Sequence, residues 1–330
     1  MRNKKIALLC TILILAAAFL LFISLRNNVY PNPEYNGYGN IKTANGIFPA
    51  SVTCFDTEPA HAHDVLIYDG KYYVIGVGHR EFTLDKVSNQ DHYILTLAGI
   101  GQELWYHKLT TATVHLAAGL PLTWVSAQRE RFRAYLFQNS HVDFTWRGID
   151  YHVDIVGVDV YAQGYSAIIP ELRKFTGANM LCDIGNGTMI VMAINDRKPQ
   201  MDQCFTEKYG AYQCVIKARE ALTRRFGRTV PDVAIEQVMR EGTADIDQEY
   251  VQIIRDAATE YVAEIMRKLR EHEYDPKTMR LWIVGGGGCL IRNFGQYETN
   301  RVTIISDIHA SAKGYEYQAE RKLLREASAK

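Results

Sequence analysis

Three glycine-rich turns, each at the end of a β-rich run, constrain this chain more than any other feature. They are Asn36-Gly37-Tyr38-Gly39-Asn40-Ile41-Lys42, Asp183-Ile184-Gly185-Asn186-Gly187-Thr188, and Gly285-Gly286-Gly287-Gly288 directly after Leu281-Trp282-Ile283-Val284. Glycine has no Cβ, so the backbone N–H groups of such a turn can close on an anion, and tight turns can use its left-handed conformations. One G-x-G turn alone says little, because most are hairpins. Two of them, each followed by a small polar residue and one in each half of the chain, predict related α/β domains that present phosphate clamps to each other.

The runs between the turns agree with two α/β halves. Val65–Ile75 is a pair of β-rich runs about Asp69-Gly70, a strong hairpin signal. Asp91–Leu109 predicts a helix and Ala112–Ala118 a buried strand running into Gly119-Leu120-Pro121. Val125–Gln138 predicts a second helix, with Phe132, Tyr135 and Leu136 at helical spacing. Val142–Trp146 and Tyr151–Val160 form another hairpin about Arg147-Gly148. In the second half, Asn179–Asn195 reads as strand, glycine turn and strand. Helices follow over Tyr209–Phe226, Asp232–Arg240 and Gln248–His272, the last with Val251, Ile254, Tyr261, Ile265 and Leu269 along one stripe. A strand over Arg280–Val284, the four-glycine turn, a short helix and a strand over Arg301–Ile305 come next, and a helix over His309–Ala327 closes the chain.

At 330 residues there is room for two domains. A hydrophobic content of 47% with 22% charged residues excludes general disorder. Thirty-seven basic residues balance thirty-seven acidic ones, which excludes a surface that grips nucleic acid chiefly by neutralising phosphates. The six cysteines are scattered with no CxxC pair, against a common zinc site or a dense disulfide framework. His61-Ala62-His63 has no partners at metal-ligand spacing and reads as a surface loop. The N-terminus stands apart. Ile6–Leu25 is uncharged throughout, and a helix of ~20 residues spans a hydrocarbon core of about 30 Å. The run is longer than the ~7–15 apolar residues of a signal peptide and no clear A-x-A site follows. It predicts a single-pass membrane anchor over residues 1–28, then a proline- and asparagine-rich linker over 29–35.

Together the turns and their neighbours resemble the ParM/StbA-type bacterial actin-like ATPases of plasmid and mobile-element segregation, within the superfamily that also holds heat-shock chaperones and sugar kinases. Gly37 and Lys42 match the glycine and lysine of that family's first phosphate motif, D-x-G-x-x-x-x-K. Asp183, Gly185, Gly187 and Thr188 match its second, D-x-G-x-G-T. The glycine run matches its adenosine motif, and Gln163-Gly164 its connecting segment. The resemblance covers about Asn36 to Glu316. It implies an α/β chain with a two-domain actin-like (ribonuclease H-like) ATPase fold, here preceded by a transmembrane helix. Domain I would occupy 36–165, the connection 166–177, domain II 178–308 and a C-terminal helix 309–330, free to pack back on domain I.

The resemblance also implies roles. Gly37, Tyr38, Gly39, Asn40 and Lys42, with Gly185, Asn186, Gly187 and Thr188, would bind the phosphates of Mg-ATP or Mg-GTP. Gly285, Gly286, Gly287 and Gly288 would bind adenosine, Asp183 would hold Mg²⁺ through water, and Gln163 would orient the attacking water. On residue chemistry alone, Asp183 could instead cap its turn, Gln163 could be a hinge residue and the glycine run a plain strand-to-helix turn. The implied partners are further copies of the chain in a filament, a DNA-bound adaptor protein, and a membrane through Ile6–Leu25, with no direct nucleic-acid binding.

Two features depart from the family. Its first motif opens on an aspartate two positions before Gly37, where this chain has Tyr35, and Glu34 is one residue out of phase. The strand expected before it is replaced by Val29-Tyr30-Pro31-Asn32-Pro33, and proline is barely tolerated in a central strand. The simplest account is an actin-like coding region joined to a foreign membrane-anchor start. Hydrolysis is then expected to suffer more than binding. A membrane-tethered nucleotide-binding scaffold without hydrolysis is the alternative, and a kinase of the same superfamily, which would need its own acidic base, is another.

Overall fold

The computed structural model describes residues 39–43, 45–77 and 90–329. The expectations for Ile6–Leu25, Glu34, Tyr35, Gly37 and Tyr38 lie outside the described residues. Among the described residues no helix is long and apolar enough to cross a membrane.

The first half is built on a six-stranded sheet. Strands β1 (Asn40–Lys42) and β2 (Ile47–Pro49) pair as a separate antiparallel hairpin. Strands β3 (Val52–Phe55), β4 (Val65–Tyr68), β5 (Lys71–Ile75), β6 (Thr111–Leu120), β7 (His141–Trp146) and β8 (Ile149–Ala162) form the sheet in the order β3-β5-β4-β7-β8-β6. The predicted hairpins are both present. Their turn residues all have positive φ, 50° and 70° at Asp69-Gly70 and 51° and 74° at Arg147-Gly148, the twist that suits a two-residue hairpin. Helices α1 (Asp91–Tyr106) and α2 (Leu122–Leu136) cover the sheet, and Tyr93, Leu97, Leu104, Phe132 and Leu136 share its core. Two boundaries differ from the sequence reading. Gly119 and Leu120 lie inside β6, paired with Tyr161 and Ala162, instead of after it. Helix α2 starts at Leu122 because Pro121, with its fixed φ and no N–H, stands at the helix N-cap.

Helix α3 (Tyr165–Ile168) and a 3₁₀ turn over Ile169–Lys174 carry the chain across to the second half. There β9 (Ala178–Ile184), β10 (Met189–Asn195), β11 (Lys198–Glu207), β12 (Arg280–Val284) and β13 (Val302–Ile304) form a sheet in the order β11-β10-β9-β12-β13. Helices α4 (Ala211–Phe226), α5 (Asp232–Glu241), α6 (Gln248–Glu271) and α7 (Gly288–Phe294) pack on it. All five residues of the predicted α6 stripe are buried. Asp247 caps that helix by accepting from the backbone N–H of Glu249. The strand β11 is absent from the sequence reading.

The last helix, α8 (Ala310–Ser328), returns to the first half and packs on α3 and β6. Gln318 Nε2 donates to Ser166 Oγ at 2.8 Å, and Lys322 Nζ donates to Asp159 Oδ1 at 2.5 Å. Asp159 is also 3.0 Å from His115 Nε2. Against the upward pull of burial, the hydrogen bonds from His115 and Lys322 hold its carboxyl down at about 2. The helix is thereby tied to the segment where the halves join.

Candidate functional site

Parallel strands deliver their carboxyl ends to one edge of a sheet, and here that edge faces the junction of the two halves. In β9 and β12, Asp183 pairs with Val284, so the turns after both strands emerge side by side. The two turns are stitched together, with Gly287 N–H donating to Ile184 O at 2.9 Å. The approach needs glycine. A Cβ on Gly285, whose φ is +86°, would lie 2.4 Å from Asp183 Oδ1 and 2.6 Å from Ile184 O. The Gly185–Thr188 turn closes on itself through Gly185 N–H to Thr188 O at 2.8 Å, and its carbonyls then accept the first N–H groups of α4.

In the first half β6 and β8 also run parallel and end together, Leu120 beside Ala162. Gln163 follows at once, its backbone N–H donating to Leu120 O at 2.8 Å. Gly164, at φ +72°, lets Asp183 come close, since a Cβ there would be 3.0 Å from Asp183 Cβ. The residues at the ends of β8 and β9 therefore meet across the junction. Lys42, at the end of β1, reaches over from the other side and would lie 3.4 Å from a Cβ on Gly286.

The result is a cavity of about 360 Å³, lined by Gly39, Asn40, Lys42, Gln163, Asp183, Gly185, Asn186, Thr188 and Gly285–Gly287. Residues predicted from widely separated segments are thus brought together. Two of the described ones are not at its wall. Gly187 packs where a Cβ on Gly210 would be only 2.5 Å from its carbonyl carbon, and Gly288 opens α7 against Ile283 and Ile304. At one end of the cavity Val215, Met239 and Leu290 make an apolar wall, with Cys289 beside them and Glu236 and Arg240 paired at 3.6 Å. Asp307 lines it too, tied by an ion pair to Lys313. Sequence reasoning missed Glu236, Met239, Arg240 and Asp307. For Asp307 a signal existed: it follows β13, which runs parallel to β12 and so ends at the same edge.

Burial sets the electrostatics. It pushes the Asp183 carboxyl up to about 6 despite the opposing pull of Lys42. It pushes the Lys42 ammonium down, against the attraction of Asp183 and Asp307. One cation between two carboxylates, beside turns with free room for an anion, suits a phosphate chain that arrives with its own cation. Among the described residues no group of three His, Cys, Asp or Glu could hold a metal by itself. Magnesium carried by a nucleotide needs only one or two carboxylates, because it keeps most of its waters. The donor set therefore fits a magnesium nucleotide and does not form a metal cage.

The β1–β2 hairpin that carries Lys42 is pinned from behind. His309 Nδ1–H donates to Thr43 O at 2.6 Å. Glu103, fully buried on α1, accepts from Asn45 N–H at 2.9 Å and from Asn45 Nδ2 at 2.8 Å. Burial pushes the Glu103 carboxyl up to about 7. Glu316 on α8 is pushed up to about 8, by burial and then by the charges of Glu320 and Glu103. The folded protein thus keeps protons that an unfolded glutamate has already released above its usual ~4.3. Stability from these groups is present at lower pH and falls as pH rises through their folded values. Tm is expected to decline from about pH 4.5 to about pH 8, the span between the unfolded and folded values of these carboxyls, and Glu103→Gln to flatten the decline. A thermal-shift series that is level across that window in the wild type overturns the assignment.

Residues 36–165 match the family model of the actin-like protein N-terminal domain. A sequence comparison with curated proteins finds no match. Among solved structures the chain is similar to Bacillus thuringiensis ParM with ATP, at 12% identity and a TM-score of 0.65, with 92% of this chain and 96% of that one covered. It is similar to an archaeal actin homologue in complex with ADP, at 20% identity and a TM-score of 0.62, covering 83% and 92%. It is also similar to an Alp filament structure, at 17% identity and a TM-score of 0.60, covering 84% and 90%. At such identities what is shared is the two-domain architecture. Residues 36–165 are thus an actin-like protein N-terminal domain, and the described length has the fold of the solved actin-like proteins named above.

Proposed function

We propose that the protein binds Mg-ATP, or Mg-GTP, in the junction cavity and assembles head-to-tail into filaments that position plasmid or mobile-element DNA. The observation that carries this reading is the convergence of Lys42, Asp183, Gln163 and two glycine turns on one cavity between two α/β halves. In this reading domain I is 36–165, domain II is 178–308, and the connection 166–177 is the hinge between them. Lys42 gives a point charge to the β- and γ-phosphates, and the N–H groups of Gly37–Asn40 and Gly185–Thr188 cradle them. The apolar wall and Gly285–Gly288 receive the nucleoside. Asp183 would hold the magnesium through water, and the ion would supply neutralising charge to the phosphates. Gln163 orients the attacking water, since an amide can hold a nucleophile without deprotonating it. The solved relatives named above include one with ATP, one with ADP and one in a filament, which supports the same assignment by analogy.

With Tyr35 in place of the family's aspartate, nucleotide binding is expected to survive better than hydrolysis. That substitution favours a second reading, a membrane-tethered scaffold held by Ile6–Leu25 that binds nucleotide without turning it over. The zero formal charge fits a chain that reaches DNA through a separate adaptor. Right-angle light scattering at micromolar protein tests the filament reading: scattering is expected to rise on addition of Mg-ATP or Mg-GTP. No rise with either nucleotide overturns it. Full-length protein left in the supernatant after carbonate extraction overturns the tether.

A further inference from the structure

The hairpin that brings Lys42 to the cavity is seated on a buried acid. Its apolar residues Ile41 and Phe48 share one core with Ile100 and Leu104 of α1 and with Ala312 and Ala319 of α8. The tip lies directly on α1, where a Cβ on Gly46 would be 2.7 Å from Gln102 Cγ and 2.9 Å from Thr43 Oγ1. Next to Gln102, the fully buried Glu103 accepts twice from Asn45, from the backbone N–H on Oε1 at 2.9 Å and from Nδ2 on Oε2 at 2.8 Å. Thr43 N–H closes the tip on Gly46 O at 2.8 Å, and Lys42 ends the strand that leads into it. A side chain on α1 thus fixes the point from which Lys42 reaches across.

A second carboxyl stands behind the first. Glu316 on α8 is close enough to Glu103 for their charges to act on each other, and Glu320 adds its own charge one turn on. Two carboxyls that share a part-buried site cannot both ionise cheaply, so such a pair keeps a proton past the usual carboxylate range. The cations described nearby are engaged elsewhere. Lys313 faces Glu316 but is paired with Asp307, Lys42 is drawn to Asp183 and Asp307, and Arg147 is bonded to Asp64 and Gln102. Burial pushes His107 and His309 down, which leaves both neutral near pH 7. We propose that Glu103 is a positioning residue for Lys42 and that Glu316 makes its hold depend on a shared proton, whose loss unseats the hairpin and weakens phosphate binding. Seated carboxyls keep protons that exposed ones release, so seating weakens as pH rises from about 4.5, the ordinary glutamate value, to about 8, the folded one. The role given to Lys42 rests on the nucleotide reading above; the seating of the hairpin does not.

The test is Glu316→Gln, which keeps the size of the side chain and removes its charge. Between about pH 6 and about pH 8 the Kd of a fluorescent Mg-ATP analogue is expected to weaken about fivefold more in the wild type than in E316Q, the lower end of usual coupling between two ligands, here nucleotide and proton. Lys42 and Asp183 are shifted in both proteins, so the difference belongs to the pair. A second readout needs no nucleotide. The Thr43 and Asn45 amides are expected to lose hydrogen-exchange protection, corrected for the intrinsic rate, over the same span in the wild type and to keep it in E316Q. Asn45→Ala, which removes the bond to Glu103 Oε2, is expected to give the weaker Kd at both ends of the span. Equal pH slopes and equal protection in wild type and E316Q overturn the proposal, and protection that changes while Kd does not overturns the link to Lys42. A wild type that binds no nucleotide overturns the nucleotide reading and the role of Lys42 with it; one that binds while its hairpin protection ignores pH overturns this inference alone.

Discussion

Asp183→Ala is expected to lower phosphate release by about a hundredfold or more, the scale seen when a preorganised group aimed at developing charge is removed. The reason is where the carboxylate stands. It closes β9, touches the glycine turn after β12 through Gly285, and meets the hinge through Gly164. Among the described residues the other carboxylates of the cavity are paired elsewhere, Asp307 with Lys313 and Glu236 with Arg240. Burial has already raised the Asp183 carboxyl to about 6, so a charge held there at neutral pH is held against the cost of burial. Asp183→Asn keeps the shape and removes the charge, so a loss as large as that of the alanine variant assigns the effect to charge. Phosphate release and fluorescent-nucleotide binding, measured on both variants, check the expectation. Wild-type release from either variant would sink it.

How much of this was legible in the sequence follows from how local each signal is. The hairpins at Asp69-Gly70 and Arg147-Gly148 are readable because their turn residues carry the conformational preference themselves. The hairpin between β10 and β11 is built on Asp196-Arg197, at φ 45° and 72°, with no glycine in the turn, and so it gave no sign. Strand β11 sits at the sheet edge with a half-exposed pattern that lacks strict alternation. The turns Gly185–Thr188 and Gly285–Gly288 were legible because each follows a strand of the parallel pair β9 and β12, where the close approach of the two turns needs glycine. Glu103 was not. Inside α1 it reads as one more charge on a solvated face, and only the β1–β2 hairpin, brought over it from far away in sequence, buries it. The face of α8 that packs on α3 and β6 was hidden in the same way, since nothing in a charged terminal helix indicates which of its faces is buried.

The face in question makes an opposite-sign test possible. Replacing a glycine by alanine inside a helix ordinarily stabilises it by up to about 1 kcal/mol, through helix propensity and a less flexible unfolded chain. Gly314, inside α8, is expected to do the reverse. A Cβ there would lie 1.7 Å from Ser166 O and 2.3 Å from Ser166 C, and these are backbone atoms that cannot rotate aside. Ser166 is itself held, its Oγ donating to Ala162 O at 2.8 Å and accepting from Gln318 Nε2. Relief therefore requires α8 to move off α3, which strips the Gln318 contact. Overpacking of this kind costs roughly 1–3 kcal/mol, so Gly314→Ala is expected to lower Tm where helix propensity alone would raise it. Gln318→Ala is the control, because it removes the hydrogen bond and leaves the close approach intact, and its loss is expected to be smaller. A Gly314→Ala protein as stable as the wild type would mean that α8 does not lie against Ser166 and would overturn the expectation.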